Sequence, residues 1–192
     1  MYQKRNKELG IVALFLADYN KRLYLREISK LAKIPLKTTQ NAVLRLEMEK
    51  VLKSTIAGKN KYFRLNLDNI KTKLYLLQSE IYKTYIFIEK YPLFKTFLKH
   101  IKTNTPLIIF GSFARFGAKE DSDLDLLIIS KKKPDLPFHL LPYRTHEIAI
   151  SEPSFFTSFE KQETLIIEIQ ENHIILNNHS FYINTMWDYY GE

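Results

Sequence analysis

Two short stretches set the architecture of the second half of this chain: FGSFARFG at residues 110–117 and DSDLDLL at residues 121–127. The first follows an apolar run that predicts a short strand, and the second begins another strand. Gly111 ends the first strand, where a glycine lets the backbone turn sharply and approach a ligand closely. A helix that starts at Ser112 would direct free backbone N–H groups and the serine hydroxyl at a phosphate. The first stretch therefore predicts a phosphate-binding turn.

Two carboxylates lie at the start of the next predicted strand, which runs from Leu124 to Ile129. Asp123 and Asp125 are two residues apart, so their side chains lie on one face while the intervening leucine faces the core. Neighbouring carboxylates repel each other, and bound cations relieve that repulsion. Mg²⁺ takes carboxylate and phosphate oxygens as its ligands. The pair therefore predicts a magnesium site suited to phosphoryl chemistry.

The identity and spacing of these residues resemble the polymerase-beta-type nucleotidyltransferase superfamily, in particular its minimal members. The family signature of Gly-Ser, ten residues and Asp-x-Asp occurs here as Gly111-Ser112, residues 113–122 and Asp123-Leu124-Asp125. Further matching positions are Ala114, Arg115, Ala118, Ser122 and Leu126. Phe116 departs from the pattern, because the family usually has glycine directly after the arginine, and here glycine follows one residue later.

This resemblance implies a metal-dependent transfer of NMP, and of AMP from ATP in particular, with two Mg²⁺ ions held by Asp123 and Asp125. The nucleotide-binding residues that it implies are Gly111, Ser112, Arg115 and Ser122. Minimal members commonly act as antitoxins that modify a small helical toxin with AMP. The resemblance therefore also implies a protein acceptor, although nothing in the chain encodes its identity.

A third carboxylate on a neighbouring strand usually completes the metal site of this family. The predicted strand from His146 to Ile150 offers Glu147, which alternation places on the face opposite Ile148 and Ile150. We predict Glu147 as a catalytic residue and metal ligand. A solvent-facing glutamate is an equally good interpretation, and we interpret His146 as structural.

The first third of the chain is strongly basic. Residues 1–68 contain 15 Lys or Arg and 6 Asp or Glu, whereas residues 69–192 contain 14 and 15. Positive charge concentrated in one block favours a domain that faces a polyanion. The alternative interpretation is a lysine-rich surface that aids solubility.

Hydrophobic periodicity predicts a regular order of elements in this basic block. The predicted helices cover residues 6–19, 26–33 and 37–50, and the predicted strands cover residues 51–56 and 61–67. This order resembles a winged helix-turn-helix across residues 9–67. Two positions depart from that family: Lys50 replaces a closing glycine, and Thr39 replaces an apolar residue.

The resemblance implies that the second helix of the turn motif enters the major groove of DNA. The predicted DNA contacts are Lys37, Thr38, Gln40, Asn41 and Arg45 on that helix, with Lys59 and Lys61 at the wing. Protein contacts or dimerisation are the alternative role for such a domain.

We therefore predict an α+β protein with three parts. A winged helix-turn-helix domain covers residues 1–68, a helical connector covers 69–104, and a small nucleotidyltransferase-type mixed sheet flanked by helices covers 105–192. The absence of cysteine excludes disulfides and thiolate metal sites and fits a cytoplasmic protein. No apolar run is long enough for a membrane span, so we expect no membrane partner. The sequence leaves open whether the protein forms a homodimer.

Two functions fit this sequence. The first is a nucleotidyltransferase enzyme tethered to a DNA-binding domain. The second is a DNA-binding transcriptional regulator whose nucleotidyltransferase domain senses nucleotide or is inactive. The position of the third carboxylate distinguishes the two.

Overall fold

The computed structural model describes residues 2–191, with side chains from Asn6 onwards, as an α+β fold with two small sheets. The described chain divides into two compact units. The first runs to Tyr82 and takes in the C-terminal residues from Ile183, and the second is Lys83–Tyr182. No helix of the described chain has the length and apolar character needed to cross a membrane.

The first unit combines helices with an antiparallel three-stranded sheet. Its helices are α1 (Tyr2–Val12), α2 (Leu25–Ala32), α3 (Leu36–Met48) and the start of α4 (Ile70–Lys90), with a 3-10 helix at Ala13–Phe15. Its strands are β1 (Leu23–Tyr24), β2 (Leu52–Ala57) and β3 (Asn60–Leu65), in the order β1-β3-β2. The predicted first helix was too long, because the α-helix ends at Val12 rather than at Tyr19.

Two positions that depart from the winged-helix pattern are accommodated locally. The buried Thr39 hydroxyl donates to the carbonyl oxygens of Ile34 and Pro35, at 3.1 and 3.2 Å, so its polar group is satisfied. Lys50 has a left-handed φ of 58°, the conformation that glycine usually supplies after a helix. The amides of Asn66 and Asn69 donate to the Lys50 carbonyl and hold that turn.

The second unit is built on a mixed four-stranded sheet in the order β6-β5-β4-β7. The strands are β4 (Leu107–Ile109), β5 (Leu124–Ile129), β6 (Thr145–Ile150) and β7 (Ile174–Asn177). β5 and β6 are parallel, whereas β4 pairs antiparallel with both β5 and β7. The helices are the end of α4, α5 (Leu93–His100), α6 (Gly111–Ala114), α7 (Glu152–Glu160), α8 (Thr164–Glu171) and the start of α9 (His179–Gly191), with a 3-10 helix at Phe138–Leu140. The apolar run at 165–169, which fits either a helix or a strand, lies in α8.

An aromatic core packs against one face of this sheet. Phe94 and Phe97 of α5 and Phe113 of α6 are almost fully buried, together with the inward leucines of β5, Leu124 and Leu126. Phe94 and Phe113 pack edge to face with their ring centres 6.1 Å apart. This packing fixes α6, and with it the turn at Gly111, against the strand that carries Asp125.

Candidate active site

The carboxylate of Asp125 lies directly against the backbone of Gly111. Gly111 has a φ of 68°, in the left-handed region that favours glycine. A Cβ atom on Gly111 would lie only 2.2 Å from Asp125 Oδ2. The N–H of Phe110 donates to the Asp125 carbonyl at 3.1 Å, which aligns the two strands at this point. The two halves of the sequence motif therefore meet, and only glycine fits where they do.

The turn after Gly111 closes through its own backbone. The N–H of Arg115 donates to the Gly111 carbonyl, and the N–H of Gly117 donates to the Ser112 carbonyl. Phe116 has a left-handed φ of 57°, so the residue that departs from the family pattern adopts a conformation that glycine would adopt freely. Lys90 donates to the Phe116 carbonyl and lies over its ring, which stabilises this conformation.

The neighbour of Asp125 on β6 is His146. The two residues are in register between the parallel strands, and His146 Nδ1 lies 3.2 Å from Asp125 Oδ1. Both side chains reach solvent, with 27% of the Asp125 side chain and 65% of the His146 side chain exposed. A position that we interpreted as structural therefore borders the carboxylate pair.

Glu147 does not lie beside Asp125. It is in register with Leu126, which belongs to the core, and alternation places it on the face opposite Asp125. Its carboxylate pairs with Lys133 at 3.4 Å. Glu147 thus lies opposite Ile148 on β6, as alternation predicts, but His146 rather than Glu147 is in register with Asp125.

The remaining predicted site residues lie around this turn. Asp123 is exposed and directly precedes β5. If the alternation of the strand continues to this residue, Asp123 lies on the same face as Asp125. Arg115 forms an exposed ion pair with Glu168 at 2.9 Å. The Ser122 hydroxyl accepts a hydrogen bond from the N–H of Lys119 at 2.9 Å and closes the turn before Asp123.

The donor chemistry of this edge limits what it can bind. Within residues 2–191, His, Asp and Glu side chains do not form groups of three or more that could hold a metal ion. Asp123 and Asp125 alone suit Mg²⁺ when a triphosphate and water supply the other oxygen ligands. A cation bound at this edge would therefore take most of its ligands from outside the protein.

Two of the predicted DNA contacts already have partners within the first unit. Arg45 Nε lies 2.5 Å from Glu8 Oε1, and Lys61 Nζ lies 2.9 Å from Glu47 Oε2. The Glu8 side chain is 9% exposed, so this ion pair is partly withdrawn from water. Intramolecular ion pairs hold these two cations in place and reduce their availability to a phosphate backbone.

The other predicted DNA contacts remain accessible. Lys37, Gln40, Asn41 and Lys59 are exposed, whereas Thr38 is half-buried. Gln40 and Lys59 also line a groove of about 560 Å³ between α2, α3 and the β2–β3 hairpin. Arg26 lines the same groove, and sequence reasoning missed it because it lies on α2 rather than α3.

Comparison with known proteins adds one match. Residues 92–177 match the family model described as the nucleotidyltransferase domain, a segment that contains Gly111, both aspartates and His146. Neither a curated protein nor a solved structure matched the chain. The family match supports a nucleotidyltransferase-type domain in this segment.

Proposed function

We propose that this protein transfers the nucleotidyl group of a nucleoside triphosphate to an acceptor, at the edge of the sheet that carries Gly111 and Asp125. The observation that carries this proposal is the close contact between the Asp125 carboxylate and the Gly111 backbone. It lies inside the segment that matches the nucleotidyltransferase domain, which supports general nucleotidyl transfer and an NTP substrate.

The residues of this edge have distinct roles in the proposal. The backbone at Gly111 and the Ser112 hydroxyl bind phosphate oxygens of the nucleotide. Asp123 and Asp125 would hold two Mg²⁺ ions together with the triphosphate, and those ions would neutralise the charge of the phosphates and of the pyrophosphate that leaves. Ser122 positions Asp123 through its turn, and Arg115 contacts phosphate when it leaves Glu168.

ATP is the proposed substrate, AMP the transferred group and a separate protein the acceptor. The resemblance to minimal nucleotidyltransferases, including those that act as antitoxins on a partner toxin, supports this part of the proposal.

We further propose that residues 1–68 form a winged helix-turn-helix domain that binds DNA, with 69–104 as a connector and 105–192 as the nucleotidyltransferase domain. The order of elements and the excess of Lys and Arg in this part support the proposal. Lys37, Gln40, Asn41 and Lys59 are the proposed contacts, joined by Arg26. Arg45 and Lys61 instead stabilise the domain through their ion pairs.

One observation favours a second function. His146 lies at the place beside Asp125 where a third carboxylate would complete the metal site. A site with two carboxylates binds a metal-nucleotide complex more weakly and can serve as a sensor rather than a catalyst. The alternative is therefore a DNA-binding regulator whose nucleotidyltransferase domain senses nucleotide or is inactive.

A labelling experiment tests the first function. The full chain is incubated with Mg²⁺, an extract that supplies acceptors, and ATP labelled at either the α- or the γ-phosphate. We expect acid-stable label that depends on the added chain from α-labelled ATP only, and its loss in Asp125→Asn. Asp135→Asn, a change of an exposed aspartate outside the motif, is the matched control and should keep the activity. Label from the γ-phosphate that depends on the added chain, or equal labelling by Asp125→Asn, would contradict the proposed transfer.

A further inference from the structure

Helix α4 carries a row of exposed apolar side chains. Ile70, Leu74 and Ile81, in the part of the helix that belongs to the first unit, are 65%, 52% and 49% exposed. The half-buried Leu77 lies between them. Steps of four, three and four residues place these side chains on one face of an α-helix. A contiguous exposed apolar surface on a protein indicates a binding surface more often than a chance arrangement of side chains.

The row follows the period of a straight helix. Three steps from Ile70 to Ile81 average close to the 3.6-residue period of an α-helix. At a rise of about 1.5 Å per residue, the row spans about 17 Å. The row is therefore straight enough to pack along another straight helix.

We propose that the row formed by Ile70, Leu74, Leu77 and Ile81 is the interface of an antiparallel dimer, in which this part of α4 packs against the same part of α4 in a second copy. A two-fold interface uses the same patch on both partners, and an apolar helix face is complementary to itself. This inference goes beyond the proposed function, because it depends on neither nucleotidyl transfer nor DNA binding.

The size of the row suits a dimer. The four apolar side chains of the row, three of them about half exposed, offer on the order of 300 Å² per copy. A standard interface buries about 800 Å² per partner, of which a little more than half is apolar. The row therefore supplies most of the apolar part of such an interface, and the polar side chains beside it would form the rim.

The charge at the start of α4 favours the antiparallel arrangement. Lys71 is exposed in the first turn of the helix. A parallel pair would bring the two Lys71 side chains together, and like charges repel. An antiparallel pair keeps them apart, each towards the Ile81 end of the partner's row.

Sedimentation equilibrium of the full chain tests this interface. We expect wild type to have twice the monomer mass of 22.8 kDa at micromolar concentration. Leu74→Glu combined with Ile81→Glu should raise the dissociation constant at least about tenfold. Ile56→Glu is the matched control, since Ile56 is 81% exposed on β2 and lies outside the row, and it should remain dimeric. Circular dichroism checks that the exposed substitutions leave the chain folded.

Disulfide trapping tests the orientation, because the natural chain has no cysteine. Single cysteines are introduced at positions 70, 74, 77 and 81, with Ile56→Cys as the control. An antiparallel pair cross-links most at the position nearest its two-fold axis, whereas a parallel pair cross-links at all four. Equal cross-linking at all four would overturn the antiparallel arrangement.

Three results would overturn the proposal that this row forms a dimer interface. Wild type could stay monomeric at all concentrations tested, which is the result expected if α4 binds a different protein. The dimer could survive the double substitution on α4. The control Ile56→Glu could dissociate it equally.

Discussion

The contact between Gly111 and Asp125 links the backbone conformation of the glycine to the position of the carboxylate. Gly111 supplies a left-handed turn and the free space in which the Asp125 carboxylate lies. The carboxylate is held by packing on one side and remains open to solvent on the other. In the proposed function, this carboxylate binds a cation together with the nucleotide.

We predict that Gly111→Ala weakens nucleotide binding by displacing this carboxylate. The left-handed φ costs an alanine about 1 kcal/mol of folding free energy, and its Cβ would push Asp125 Oδ2 aside. Gly58→Ala is the matched control, because Gly58 has a φ of 59° but open space around it. Both variants should lose similar stability in urea unfolding, and only Gly111→Ala should weaken Mg²⁺–ATP binding, by at least about tenfold. Unchanged binding in Gly111→Ala would count against this role of Gly111.

The position of Glu147 leads to a second prediction. Asp125→Asn should lower nucleotidyl transfer by roughly a hundredfold, because a charge that faces the nucleotide is lost. Glu147→Gln should leave transfer close to the wild-type rate, since Glu147 pairs with Lys133 on the other face. Initial rates at saturating ATP compare the two variants. The reverse ranking would place the reaction on the face that carries Glu147.

At the scale of single residues, alternation within a strand was predictable and register between strands was not. The spacing of Asp123 and Asp125 follows from local geometry alone. The pairing of β6 with β5 depends on hydrogen bonds between segments about twenty residues apart. A slip of one residue exchanges His146 and Glu147, and both alternatives leave apolar side chains on one face of the strand.

At the scale of elements, Glu47 ties α3 to the β2–β3 hairpin. Its two carboxylate oxygens accept hydrogen bonds from Ser54 on β2 and from Lys61 on β3, at 2.5 and 2.9 Å. Burial raises the pKa of Glu47, but these hydrogen bonds and the charge of Lys61 outweigh that effect and lower the pKa below its ordinary value. The ionised carboxylate therefore stabilises the folded hairpin.

This contact predicts an acid-sensitive contribution to stability. A carboxylate with a lowered pKa in the folded state stabilises the fold above its unfolded pKa, and the contribution is lost as pH falls through the folded pKa. Glu47→Gln should cost about 1 kcal/mol near neutral pH. In urea unfolding, the two proteins should converge at pH values well below about 4.3. A difference that stays constant across this range would exclude ionisation of Glu47 as its cause.

Element type was predictable where the apolar period was long, and uncertain where the apolar run was short. The α2–α3 turn and the hairpin follow from the sequence to within a few residues, despite Thr39 and Lys50, because local hydrogen bonds satisfy both. The run at 165–169 fits either a helix or a strand, and its packing in α8 depends on contacts distant in sequence. The outward face of α4 was likewise not predictable, because an apolar stripe does not show whether its partner lies in the same chain.

At the scale of the whole molecule, positive charge is concentrated in residues 1–68, whereas the segment with the carboxylates is close to neutral. This separation suits a protein that binds a polyanion with one part and a nucleotide with another. If positive charge surrounded the carboxylates instead, that segment would favour free phosphate, which would bind there without a cation. This distribution supports the proposed division of function between the two parts.

The charge distribution predicts salt-dependent DNA binding. In fluorescence anisotropy, the logarithm of affinity should fall linearly with the logarithm of salt concentration. Lys37→Ala combined with Lys59→Ala should reduce that slope by about 2, one for each lost phosphate contact. Arg45→Ala is the contrast, because it leaves Glu8 without its partner and should mainly lower the free energy of unfolding. An unchanged slope in the double variant would exclude the proposed groove contacts.

A crystal structure of the full chain with Mg²⁺ and a non-hydrolysable ATP analogue tests the central claim most directly. We predict that the triphosphate lies over the backbone of Gly111 and Ser112, with Mg²⁺ bound between its phosphates and the carboxylates of Asp123 and Asp125. A nucleotide bound elsewhere, or a metal ion held by Glu147 on the opposite face, would contradict the account.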